Sequence, residues 1–203
     1  MKQLVEIICI IDRSGSMQTL KDDAIGGFNS FLDDQKKLPG SAQLTLVLFD
    51  DEYLKIHDAL NIQDVPPLTS ESYTPRGTTA LYDAIGKTVN EVGKRLADTP
   101  EHERPNKILV CILTDGHENA STEFTSEKIA EMIDHQKTKY SWEFMFLAAN
   151  QDAVLTAKTM NIDADHAISF DATRRGMRFS MGSISDISKR IRRANNPKDD
   201  TLV

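Results

Sequence analysis

"LVEIICIIDRSGSMQTL", residues 4–20, decides the fold. Its first half, Leu4 to Ile11, is apolar at almost every position, so a strand built from it is greasy on both faces. A strand with one face in water alternates instead. The stretch reads as a strand of a parallel sheet covered by helices on both sides. It then ends on Asp12, Arg13, Ser14, Gly15 and Ser16. A turn asks for Gly, Asn or Pro, not for an acid and two hydroxyls at alternate positions. In a nearly extended segment every second side chain lies on one side, so Asp12, Ser14 and Ser16 can face a single point.

Working outward, apolar runs alternate with helix-length amphipathic stretches. Residues 20–38 place Leu20, Ala24, Ile25, Phe28, Phe31 and Leu32 at helical spacing, and Pro39-Gly40 ends the helix. Strands are predicted at 43–49 and 52–60, joined as a hairpin. Prolines and hydroxyls mark the following stretch, up to Gly77, as loop. A helix is predicted at 80–97, a buried strand at 107–113, a helix at 125–137, a strand at 142–149, a short helix at 152–160, a strand at 166–170 and a last helix at 183–194. This order predicts an α/β fold: a doubly wound, mostly parallel six-stranded sheet with one antiparallel edge strand and helices on both faces. Residues 1–172 read as one domain. Residues 173–203 read as a basic C-terminal helix and tail expected to pack on it.

Composition sets limits on function. Charged residues are 27% of the chain and the apolar set 39%, a globular rather than a disordered balance. The run Ile108–Leu113 is far too short to span a bilayer. The N-terminus reads as a first strand rather than a leader, because no small-residue cleavage site follows its apolar run. Cys9 and Cys111 each sit inside an apolar run, without metal-type spacing, and are expected as reduced, buried thiols. That points to a cytoplasmic setting. The formal net charge is −7, unevenly placed: residues 171–203 carry +4 and the preceding 170 residues −11. The body should repel nucleic acid.

Ligands of doubly wound sheets bind outside the carboxyl ends of the strands, so the other strand-end loops matter. The hairpin strand leads to Gly77-Thr78-Thr79, which opens a helix. The strand at 107–113 leads to Thr114-Asp115-Gly116. Asp12, Ser14, Ser16, Thr79 and Asp115 would then form an all-oxygen set suited to a hard divalent cation, Mg2+ first, then Mn2+ or Ca2+. Taken singly, each piece has a plainer reading. Asp12-x-Ser-x-Ser and Thr79 serve as helix caps, and Thr-Asp-Gly is a common turn.

Together, "DRSGS", "GTTAL" and "LTDG" resemble the metal-ion-dependent adhesion site (MIDAS) of the von Willebrand factor type A (VWA) domain, over about residues 3–170. The resemblance implies that Ser14, Ser16 and Thr79 offer hydroxyls to Mg2+, with Asp12 and Asp115 binding directly or through water. The spacing leaves Thr78 and Thr79 both open. The family pattern favours Thr79, with an apolar residue six positions on, here Ile85. The resemblance further implies a non-enzymatic protein-interaction module. A partner's Asp or Glu carboxylate would complete the metal shell, beside ATPases or inside multiprotein assemblies. Arg13, Met17, Arg76, His117, Glu118, Asn119, Asn150 and Asp152 would form the rim.

Two other readings compete. Asp12 at the end of a first strand resembles the nucleophile of haloacid-dehalogenase phosphatases, which would make the chain a Mg2+-dependent phosphohydrolase. Those enzymes carry a second Asp two residues on, where this chain has Ser14. The basic C-terminal helix could instead dock an acidic partner, or nucleic acid through phosphates, although Phe179 is its lone aromatic residue.

Overall fold

The computed structural model describes residues 4–149 and 153–194. Six strands form one sheet: β1 (Leu4–Asp12), β2 (Ser41–Phe49), β3 (Tyr53–Asn61), β4 (Lys107–Thr114), β5 (Glu143–Ala149) and β6 (Ala167–Phe170). Their order across the sheet is β3-β2-β1-β4-β5-β6, with only β3 antiparallel to its neighbour. Five helices cover it: α1 (Lys21–Lys37), α2 (Leu81–Asp98), α3 (Ser126–Tyr140), α4 (Ala153–Thr159) and α5 (Arg174–Ala194).

The largely apolar character of β1 is explained by its position near the sheet centre. Val5, Ile7, Cys9 and Ile11 pack in the cluster formed with Phe28, Phe31 and Leu32 of α1 and Met181, Ile184 and Ile191 of α5. Ile8 and Ile10 pack in the opposite cluster, with Ile85 and Val89 of α2, Ile129 and Ile133 of α3 and Ala157 of α4. Cys9 and Cys111 are register partners on β1 and β4, and both are buried and unpaired. Glu6, the acid within the apolar run of β1, is fully buried. It accepts hydrogen bonds from Gln43 Nε2, Thr45 Oγ1 and the Arg95 guanidinium.

Two segments differ from the sequence expectation, and a third, expected as loop, is loop but packs unusually deeply. A 3-10 helix over Gly15–Leu20 precedes α1. The 62–80 stretch is irregular apart from one 3-10 turn, Ile62–Asp64, yet it buries Val65, Leu68 and Tyr73 in the α1-side core. Asn29 of α1 straps it through paired bonds with the Leu68 main chain, 2.9 and 2.8 Å. Finally, α5 begins at Arg174 rather than at 183. Glycines 176 and 182 and several serines interrupt the apolar periodicity there, and Ser180, Ser185 and Ser188 are buried against the core.

The basic run of α5 is partly turned inward. Arg192 is buried and donates to the main-chain carbonyls of Gln35, Leu38, Pro39 and Gly40, at 2.6–3.2 Å. It thus ties the last turn of α1 to the turn that leads into β2, rather than favouring the C-terminal dipole of its own helix. Lys189 pairs with Asp34 of α1 at 3.0 Å. Residues 195–203, the end of the tail, lie outside the described residues. Among the described residues no helix is long and apolar enough to cross a membrane.

Candidate metal centre

The chain runs from β1 outward to β2 and β3, then returns on the other side of β1 as β4. The connections leaving the adjacent carboxyl ends of β1 and β4 therefore run in opposite directions, which makes this the topological switch point where open α/β sheets carry their ligand crevice. Asp12 closes β1 and Thr114 closes β4, with Ile11 and Leu113 in register one residue earlier. The sheet alone thus brings two of the three motif segments together.

Within the crevice the oxygens are joined by hydrogen bonds. Ser16 Oγ donates to Asp115 Oδ1 at 2.6 Å, and Ser14 Oγ lies 3.0 Å from Ser16 Oγ. Asp12 Oδ1 accepts from the Ser14 main-chain N–H at 2.6 Å, and Asp12 Oδ2 from Thr114 Oγ1 at 2.6 Å. Gly116 shows where the oxygens converge. A Cβ at that position would lie 3.0 Å from Thr79 Oγ1, 3.4 Å from Ser16 Oγ and 3.9 Å from Asp12 Oδ2. Oxygens from two loops thus face one cradle that any side chain at 116 would fill. The structure brings Asp12, Ser14, Ser16, Thr79 and Asp115 to one place. Thr78 is exposed, and its main-chain N–H bonds Asp51 Oδ1 at 3.3 Å.

The plainer capping readings do not match this geometry. Ser14 precedes the 3-10 helix and Leu20 precedes α1, and neither makes a side-chain cap bond. Helix α2 has Ala80 at its cap, also without a side-chain bond. The hydroxyls are left to the crevice.

Electrostatics favour a cation here. Burial pushes the Asp12 carboxyl up to about 6, against the opposing bonds from Thr114 and Ser14, and the nearby Asp115 adds to the rise. Burial also raises Asp115, although the Ser16 hydroxyl works the other way. Two half-starved carboxyls beside neutral hydroxyls form a hard-oxygen donor set that Mg2+, Mn2+ or Ca2+ would fit. Among the described residues no group of three or more His, Cys, Asp or Glu side chains could hold a metal ion. The fit therefore depends on the hydroxyls.

Several surrounding residues behave differently from their rim assignment. Met17 is fully buried, because the 3-10 helix turns it into the α1-side core. Arg13 is 8% exposed and paired with Asp50 at 3.1 Å. Glu118 is occupied by main-chain N–H groups of Tyr82, Ala120 and Ser121. Asn119 Oδ1 accepts from Thr79 N at 2.9 Å, and its own N–H donates to Thr79 O at 3.1 Å. Arg76 and His117 are exposed at the rim. Asn150 and Asp152 lie outside the described residues.

Sequence reasoning missed Thr114 as the hydroxyl that orients Asp12. The signal was present, since Thr114 is the polar last residue of a buried strand, one position before Asp115. It also missed Tyr73, buried in what reads as plain loop.

No protein-family model matches the chain, and no curated protein matches it either. Solved structures do. Proximal thread matrix protein 1 from the mussel byssus aligns at 15% identity and TM-score 0.62, over 92% of this chain and 46% of that one. This chain thus spans just under half the length of the mussel protein. A further structure of it, described as having a zinc-occupied MIDAS motif, aligns at 15% identity and TM-score 0.62 over 91% and 48% of the two chains. The vWF domain of the type V pili tip protein Mfa5 from Porphyromonas gingivalis aligns over 93% of this chain and 96% of its own, at 12% identity and TM-score 0.64. With its strand order, single antiparallel edge strand and helices on both faces, the chain has the von Willebrand factor type A fold.

Proposed function

We infer that the protein is a metal-dependent protein-interaction module. In this reading Asp12, Ser14, Ser16, Thr79 and Asp115 hold one divalent cation, Mg2+ first and Mn2+ or Ca2+ as alternatives. The observation that carries it is the five-oxygen set at the switch point, open at Gly116. A MIDAS occupied by zinc in the mussel protein supports a divalent cation in this fold. When bound, the cation would supply positive charge and a coordination position for an oxygen from outside the chain.

The chain's own residues account for the rest. Three of the five donors are neutral hydroxyls, and with the carboxylates acting partly through water a cation would keep part of its charge for an outside oxygen. Thr114 and the Ser14 N–H hold Asp12, and Ser16 holds Asp115, so neither carboxylate is free to swing. The partner would present an Asp or Glu carboxylate, with exposed Arg76 and His117 beside it to select its surroundings. The resemblance implies a protein partner, in a multiprotein or ATPase-containing assembly. The two buried, unpaired thiols favour a cytoplasmic setting. A non-enzymatic role fits the absence, among the described residues, of a second acid two positions from Asp12. That position is Ser14, a hydroxyl rather than a carboxyl.

The test is calorimetric titration of MgCl2 and MnCl2 into the full chain, followed by pulldown from lysate with and without EDTA. Heat of binding that disappears in Asp12→Ala, with an unchanged circular dichroism spectrum, is the expected result. Partner capture that survives both EDTA and Asp12→Ala would overturn the reading. Turnover of p-nitrophenyl phosphate with Mg2+ would favour the phosphohydrolase instead.

A further inference from the structure

We propose that Tyr73, assisted by Arg13, is a positioning residue of this centre, fixing the Thr79 loop against the Asp12 loop. The inference rests on the reading of the preceding subsection.

Thr79 stands at the end of the irregular 62–80 stretch. Loops of that length normally leave their ends loosely placed, yet Thr79 is buried. Something must hold it, and the structure shows what. The Tyr73 ring is fully buried in the α1-side core, and its hydroxyl donates to the Asp12 main-chain carbonyl at 2.5 Å. From there the two loops run together. Arg76 N donates to Arg13 O at 2.8 Å, and Gly15 N donates to Gly77 O at 3.1 Å. A Cβ on Gly15 would crowd that same carbonyl at 3.3 Å. Three consecutive ties therefore join residues 12–15 to residues 73–77, and Thr79 follows directly.

Arg13 braces the pairing from beneath. Its N–H donates to Phe49 O at 2.7 Å, and its guanidinium lies 3.1 Å from Asp50, which is fully buried at the tip of the β2–β3 hairpin. Arg13 Nε and Asp50 Oδ2 have no hydrogen-bond partner, so charge alone holds the pair. Asp50 O in turn accepts from Ala80 N at 2.9 Å, next to Thr79. Arg76 meets the same hairpin, at 2.6 Å from Glu52 and 3.6 Å from Asp50. The sequence position of Arg13, between two metal-type oxygens, suggests a side chain facing a partner. It faces the hairpin instead.

Groups that orient metal ligands without touching the ion typically change metal affinity by about 10–100-fold when removed. The experiment titrates Mn2+ and Mg2+ into the full wild-type chain, Tyr73→Phe, Arg13→Gln and Ile133→Val, a core change in the opposite apolar cluster. Each protein is also melted in EDTA. Tyr73→Phe keeps the ring and removes one hydroxyl, and it is expected to weaken Mn2+ binding about 10-fold. Ile133→Val is expected to lower the melting temperature and leave affinity unchanged. Equal affinity in wild type and Tyr73→Phe, with a lowered melting temperature, would make Tyr73 merely structural and overturn this inference alone. No heat of binding in the wild type would overturn the metal reading with it. Where Arg13→Gln does not fold, Tyr73→Phe decides.

Discussion

Gly77 is the residue on which the second loop turns. Its φ is +65°, a conformation that costs an L-residue about 1–2 kcal/mol. A Cβ there would also fall 1.7 Å from Asp51 Oδ1, forcing that carboxylate aside. Gly77→Ala is expected to destabilise the protein by about 1–2 kcal/mol in urea unfolding. A midpoint equal to wild type would show that the loop can adopt another path. At this scale the sequence is partly legible. Asp12, Ser14, Ser16 and Asp115 can be read because alternation and strand ends are local patterns. Choosing Thr79 over Thr78 cannot be done locally, because it depends on which hydroxyl faces the cradle at Gly116, across the crevice. Tyr73 is invisible for a similar reason. An aromatic residue among prolines and serines carries no periodicity, and its hydroxyl bonds a carbonyl 61 positions away.

Among the elements, the pairing of α1 with α5 is the clearest departure from a simple layer of helices. One guanidinium, Arg192, serves four carbonyls, Gln35 in the last turn of α1 and Leu38, Pro39 and Gly40 just beyond it. Arg192→Ala would leave the buried Gln35 carbonyl and the part-buried turn carbonyls without this charged donor, at a cost on the order of 1–3 kcal/mol. Arg193→Ala, exposed on the same helix, is expected to change stability by less than about 0.5 kcal/mol. Parallel urea melts of the two variants check the contrast, and equal midpoints would remove Arg192 as a cap. Strands are the most legible elements, because continuous apolar runs leave little choice. The start of α5 is the least. Its buried serines look like linker residues until the surface that covers them is known.

Across the whole molecule, carboxylates pull in opposite directions with pH. Burial works against ionisation of Asp83. Main-chain N–H groups of Thr122, Phe124 and Glu123 outweigh it and hold the carboxyl below its usual range. A group depressed in this way stabilises the fold above its unfolded pKa, about 3.9. That stability is lost as pH falls from there through the lower folded value. The stability gap between wild type and Asp83→Asn is thus expected to be constant above about pH 5 and to shrink below about pH 4. Thermal melts from pH 7 to pH 3 measure it; a gap that widens on acidification would reverse the assignment. The overall α/β order is legible at this scale because helix and strand periodicities alternate cleanly. The anchoring of residues 120–124 to α2 by Asp83 is not, because it joins two segments that no local pattern connects.

The two cysteines lie side by side on the central strands, under α1 and α5. Burial pushes the Cys9 thiol up to about 12 and lifts Cys111 well above its ordinary value. Alkylating reagents need an accessible thiolate, and neither sulfur offers one while the strands stay together. The loss of free thiol to an added alkylating reagent over time therefore keeps a clock of how often the centre of the sheet comes apart.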